Sequence, residues 1–234
     1  MKVLLQDVID AIEQTTNELH FFYYMPEEVI LCYSEFDQRI LDPDFEDEDI
    51  DDVLDDSISL PNIQERNDYA IMQDFISTVE NNEAYEWLSN SIRGKGAFRM
   101  FRATLDRFDL TKDWYDYRDN AYKEIAINWC NEYGIEIIIS NPCFEVWFIE
   151  HFGYTTKNFN SNAEVIDELK EKIPNYTKSI NLHPLIIDKT DIAIKNCKKL
   201  ENFHDSIGNI GMCRNPSSEV YKIVETINNK QKAF

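Results

Sequence analysis

Of the 44 carboxylates in this 234-residue chain, 32 fall before residue 137, where only 11 of the 23 lysines and arginines lie. The net charge of −21 therefore belongs to that stretch, and the rest of the chain, with 12 acids and 12 bases, is neutral. A chain so divided is expected to fold as two differently composed parts, an acidic domain over residues 1–136 and a second region over 137–234. Long-range attraction to DNA or RNA needs a basic field, so any nucleic-acid contact is confined to a local patch.

With 43% hydrophobic and 13% aromatic residues the chain can bury large rings in a core. Its five cysteines, Cys32, Cys130, Cys143, Cys197 and Cys213, show no CxxC spacing and are odd in number, which favours reduced thiols. The opening MKVLLQDVIDAIEQ has Asp7, Asp10 and Glu13 where a signal peptide needs an apolar block. No apolar run is long enough to span a membrane. The expected location is the cytoplasm, with no membrane partner.

Residues 3–14 carry apolar side chains at helical spacing. HFFYYMPEEVILCYSEF then reads as a hairpin around Met25-Pro26-Glu27-Glu28. Residues 42–56 hold ten carboxylates and no base; self-repulsion predicts a solvated, extended or loosely helical segment. They lack the glycine that an EF-hand loop requires. Residues 69–80, 83–92, 98–108 and 112–131 read as helices, the last with a stripe of Trp114, Tyr117, Ala121, Ile125 and Trp129. After Gly134, IEIIIS reads as a buried strand. Beyond it CFEVWFIEHF, AEVIDELKEKI, KTDIAIKNCKKLENFHDSI and SSEVYKIVETINNK read as helices punctuated by prolines. The fold class is α+β: an N-terminal β-hairpin with helices, then a short strand and a mostly helical C-terminal part.

Among so many acids, Arg93, Lys95, Arg99, Arg102 and Arg107 stand close together with two glycines before a helix. Arg93, Lys95, Arg99 and Arg102 form a candidate phosphate or nucleic-acid patch, through side chains and helix N-terminal amides. No Walker loop is present. Charge balance alone would pair these bases with the acidic belt.

The run RGKGAFRMFRATLDRFDLTKDWYDYRDNAYKEIAINWCNEYGIE resembles a family of uncharacterised bacterial proteins with a GRGAFRRF-type turn and helix. The likeness covers roughly residues 1–136 and includes Arg93, Gly94, Gly96, Phe98, Arg99, Phe101, Trp114, Tyr115, Arg118, Asp119, Trp129 and Gly134. It implies no reaction. IEIIISNPCFEVWFIEHF and CRNPSSEVYKIVE are similar to the two C-terminal signatures of RloB-like proteins, a group that includes one component of an abortive-infection phage-defence pair. That resemblance implies a Toprim-like metal-dependent fold, a role in phage defence and an ATPase partner encoded nearby. It also implies magnesium-binding carboxylates on strands ahead of the SNPCFE motif. Asp42-Pro43-Asp44 and Asp47-Glu48-Asp49 have the letters but lie in a polar run, so no metal ligand is assigned. No cofactor is expected, magnesium entering only if a nuclease activity is retained.

Asn141-Pro142 at a strand end places polar groups where α/β folds hold sites. Glu145 and His151 are the candidate catalytic residues, although six residues apart they do not share a helix face. Asn141, Asn215 and Ser217 form a candidate ligand pocket if the two Asn-Pro turns meet. In the structural alternative Asn141 caps the following helix, Glu145 bonds a backbone amide or Asn215, and Ser217 begins another helix. Three functions stay open: a non-catalytic interaction or regulatory protein of phage defence, a metal-dependent Toprim-like nuclease, and a module binding an ATPase partner or nucleic acid.

Overall fold

The computed structural model describes residues 1–45 and 48–232. The architecture is mixed, with N-terminal strands and helices followed by a mostly helical C-terminal part. The chain divides into two compact units, one running from Val3 to Ile137 and the other from Ile138 onward.

In the first unit β1 (Lys2–Leu4) leads directly into α1 (Leu5–Gln14), which buries Leu5, Val8, Ala11 and Ile12. The hairpin follows as β2 (Leu19–Tyr24) and β3 (Val29–Ser34), with Phe22 opposite Leu31 and Tyr24 opposite Val29. β4 (Arg39–Ile40) and, after α2 (Ile50–Asp55), β5 (Ser57–Ser59) complete an antiparallel sheet in the order β4-β3-β2-β5. Phe22, Leu31 and Ile40 pack against Phe45 and Val53. The acidic stretch is therefore less free than its charge predicts. Each such apolar side chain contributes roughly 1.5–3 kcal/mol when fully buried, enough to hold α2 on the sheet while the carboxylates stay outside. Glu46 and Asp47 of that stretch lie outside the described residues.

Asparagines punctuate the helices that follow. Asn62 forms a capping box with Glu65 at the start of α3 (Ile63–Arg66), and Asn67, at φ 47°, ends it and caps α4 (Asp68–Thr78). Asn81 caps α5 (Asn82–Ser91). Gly94 and Gly96, at φ 85° and 82°, turn the chain into α6 (Ala97–Arg107), and α7 (Thr111–Glu132) follows. Met72, Phe75, Leu88, Phe101 and Leu105 form the core of this helical part, with Trp114 and Tyr117 against it. The stripe along α7 rotates: its buried residues are Tyr122, Ala126, Trp129 and Cys130. The reason is a change of neighbour. The N-terminal half of α7 meets the helical core, whereas Trp129 stands edge-on to Tyr23 and its indole donates to the Ser59 carbonyl at 2.9 Å. After Gly134 the chain enters β6 (Glu136–Ile138).

In the second unit the predicted single strand is broken at Ile139. Glu219 takes both backbone groups of that residue, its carboxylate accepting from the Ile139 amide at 3.0 Å and its amide donating to the Ile139 carbonyl at 2.8 Å. β7 (Ser140–Asn141) then follows, and α8 (Glu145–Glu150) is shorter than the predicted CFEVWFIEHF helix. Next come α9 (Asn162–Lys172), capped by Ser161, α10 (His183–Ile186) and α11 (Thr190–Ser206). β8 (Ser217–Ser218) precedes α12 (Val220–Lys232). Ser217 thus lies in a strand and does not start a helix. Val146 and Ile149 of α8, Val165 and Leu169 of α9, Phe159, Tyr176 and Leu182 make the core. No helix among the described residues is long and apolar enough to cross a membrane.

Candidate functional site

The two Asn-Pro turns lie side by side in the second unit. β7 and β8 pair antiparallel, with Ser140 opposite Ser218 and Asn141 opposite Ser217, and both Asn-Pro peptide bonds are cis. The polar side chains at this junction are bonded to the backbone. Asn141 Nδ2 and Ser217 Oγ both donate to the Arg214 carbonyl at 2.9 Å. Asn141 does not cap α8, which has no side-chain cap at its start. Asn215 pairs with Phe159 as a strand would, accepting from its amide at 3.1 Å and donating to its carbonyl at 2.7 Å. His204 of α11 holds the same turn, its Nε2 donating to the Pro216 carbonyl at 2.8 Å.

A cavity of about 150 Å³ opens beside the junction. Its lining includes Ser217, Ser218, Glu201, Arg214, Glu219 and Tyr221, but neither Asn141 nor Asn215. The charges in it are already matched. Arg214 bonds Glu201 and Asp205, and the Tyr221 hydroxyl donates to Glu201.

Glu145 and His151 end up with separate partners at opposite ends of α8. Glu145 is 7% exposed, accepts from the Tyr176 hydroxyl at 3.2 Å and stands 3.9 Å from the Lys178 ammonium. Among the described residues its carboxylate bonds neither a backbone amide nor Asn215, contrary to the structural alternative. Burial, with the Glu145 carboxylate adding, pushes the neighbouring Cys143 thiol up to about 12, so Cys143 is not a thiolate at neutral pH. His151 is 2% exposed, with Nδ1 donating to the Trp147 carbonyl at 2.8 Å. Burial lowers its pKa below the ordinary histidine value, which keeps the ring neutral at pH 7.

The magnesium implied by the family resemblance finds no fitting site here. Hard divalent cations take oxygen ligands, mostly carboxylates and carbonyls. Around Glu145 stand a phenol, a thiol and an ammonium group, and the ammonium repels a cation. Among the described residues no group of three His, Cys, Asp or Glu side chains is placed to hold a metal.

Two buried groups escaped the residue pattern. Glu150 is fully buried and neither of its carboxyl oxygens has a hydrogen-bond partner among the described residues. Burial pushes its pKa up to about 8, with Lys172 too weak an opposing charge to hold it down; the side chain is an uncharged acid at neutral pH. His204 was readable in principle, because it shares the apolar stripe of α11 with Ala193, Cys197 and Leu200.

In the first unit the predicted basic patch divides. Arg99 and Arg102 line a cavity of about 430 Å³ together with Arg118, Phe98, Trp114 and Tyr115. Arg93 lines a different cleft with Tyr69 and Tyr85, and Lys95 is exposed on the glycine turn. Arg107 reaches Glu83 at 3.7 Å and lies 4.2 Å over the Trp87 ring. Arg99 and Arg102 form no ion pair or side-chain hydrogen bond among the described residues. No described residue of the acidic belt pairs with them.

A UPF0158 protein of Pseudomonas aeruginosa is 33% identical over 67 residues, which are 28% of this chain and 44% of that relative. The match therefore spans less than half the length of the relative. No solved structure matches. The family model described as RloB-like protein matches residues 49–227. It begins well upstream of residue 137 and so takes in most of the first unit's helices along with the second unit. That match covers more than half of the chain, which belongs to the RloB-like family.

Proposed function

We propose that the protein is a non-catalytic interaction or regulatory component of bacterial phage defence, acting beside a partner such as an ATPase. The observation that carries this reading is the company of Glu145. In place of further carboxylates it has the Tyr176 hydroxyl, the Cys143 thiol and the Lys178 ammonium. Such a carboxylate is a packing and hydrogen-bonding group. His151 supports the reading, since its Nδ1 proton is committed to the Trp147 carbonyl inside the core. The bonds of Asn141, Asn215 and Ser217 fit an architectural junction.

The test is a cleavage assay with single- and double-stranded DNA and RNA in magnesium or manganese. No cleavage above a buffer control is expected, with or without Glu145→Gln. Metal-dependent cleavage that disappears in Glu145→Gln overturns the proposal and reinstates the nuclease reading. The ATPase partnership is tested by co-expression with the neighbouring reading frames and retention of a partner through gel filtration.

A further inference from the structure

We propose that the first unit carries a binding site for a nucleoside phosphate in the cleft lined by α6 and α7. Arg99 and Arg102 take the phosphate, and the rings of Phe98 and Tyr115 take the base.

The cavity of about 430 Å³ lies within the range of small-molecule sites and is far larger than a bare phosphate needs. Arg99 and Arg102 are three residues apart on α6, so they stand on one helix face. Guanidinium groups spaced in this way suit phosphate oxygens, which they grip through paired N–H donors. Both are without an acidic partner among the described residues of a chain carrying −21. Both side chains are exposed, so they are free to meet an anion that enters the cleft.

The other charges of the cleft are matched. Asp68 accepts from Arg66 at 3.0 and 2.8 Å and from the Tyr122 hydroxyl at 2.8 Å. Arg118 pairs with Glu13 at 3.0 Å and Asp119 at 2.8 Å and lies 4.9 Å over the Tyr115 ring. It helps to hold Tyr115 in the wall. Phe98, beside the two free arginines, is 61% exposed and lines the same cavity. Met72, Phe101 and Leu105 form the apolar floor. Aromatic rings next to unpaired guanidinium groups are what a base and its phosphate use together.

Overall charge selects a small ligand over a polymer. A nucleotide keeps its negative charge within a few ångströms of Arg99 and Arg102, whereas a nucleic-acid strand would lay further phosphates over the acidic surface.

The test is titration calorimetry of the full chain with ADP, GDP and UDP, alongside adenosine, pyrophosphate and a twelve-nucleotide single strand. At least one nucleoside diphosphate is expected to bind at one site per chain. It should bind more tightly than pyrophosphate or adenosine. Arg99→Ala with Arg102→Ala should weaken it by about tenfold or more, and Phe98→Ser should weaken it while leaving pyrophosphate unchanged. Circular dichroism checks that these substitutions, at exposed positions, keep the fold. Three results would overturn the proposal: no binding of any of the three nucleotides at millimolar concentration, binding unaffected by the arginine changes, or tighter binding of the strand. None of them bears on the cleavage assay, so the two proposals fail independently.

Discussion

The Asn-Pro motifs of the second unit and the basic helix of the first use their polar side chains in opposite ways. In the second, the residues that stand out as a motif are committed to backbone groups: Asn215 to Phe159, Asn141 and Ser217 to Arg214, His151 to Trp147. In the first, two arginines on an ordinary amphipathic helix remain without partners among the described residues. A dense motif marks a place where many groups must be satisfied at once, and a junction bonded to its own backbone does that.

Four measurements break or sharpen that contrast. The largest effect is expected from Glu150. Its pKa rises from the ordinary 4.5 to about 8 on folding, so the folded chain keeps a proton that the unfolded chain has released. The stability this gives is fully present below about pH 4.5 and is lost as pH rises toward 8, then stays flat. The loss is roughly 3–5 kcal/mol. Glu150→Gln should remove this slope in urea denaturation between pH 5 and pH 8.5; parallel profiles for both proteins would refute it. The raised carboxyl of Asp7 titrates in both proteins and cancels from the comparison.

Next is Asn215→Ala, which strips partners from the amide and carbonyl of buried Phe159. A loss of about 2–3 kcal/mol is expected in denaturant midpoint analysis. No loss would show that the two bonds to Phe159 contribute little, and the contrast between the units would fail. Tyr176→Phe removes the hydroxyl that bonds Glu145 and should cost about 1 kcal/mol. Smallest of all, Lys95→Ala on the exposed turn should change stability by less than about 0.5 kcal/mol and leave ADP titration unaltered. A loss of binding there would extend the cleft to the glycine turn.

Local chemistry made much of the fold legible. Met-Pro-Glu-Glu announced the hairpin, and glycines at 94 and 96 marked the entry to α6. The legible parts rest on interactions between residues a few positions apart. What stayed hidden depends on distant partners. The break at Ile139 is made by Glu219, 80 positions on, and Asn141 finds its acceptor at Arg214, 73 positions on. The division of the basic patch was hidden for the same reason: Arg118 and Tyr115 come from α7, while Arg93 belongs with Tyr69 and Tyr85. Burial without a partner, as at Glu150, leaves no trace in a pattern that treats every glutamate as a surface residue.

The short ladder between Ser140 and Ser218 bears on how the chain is made. Its strands are separated by 75 intervening residues that include α8 to α11, so during translation the upstream strand waits on the ribosome for several helices to emerge before it has a mate. Closing so long a loop costs entropy that helix packing must offset first. A nascent polypeptide released before Ser218 should leave the Ser140 edge open to other chains.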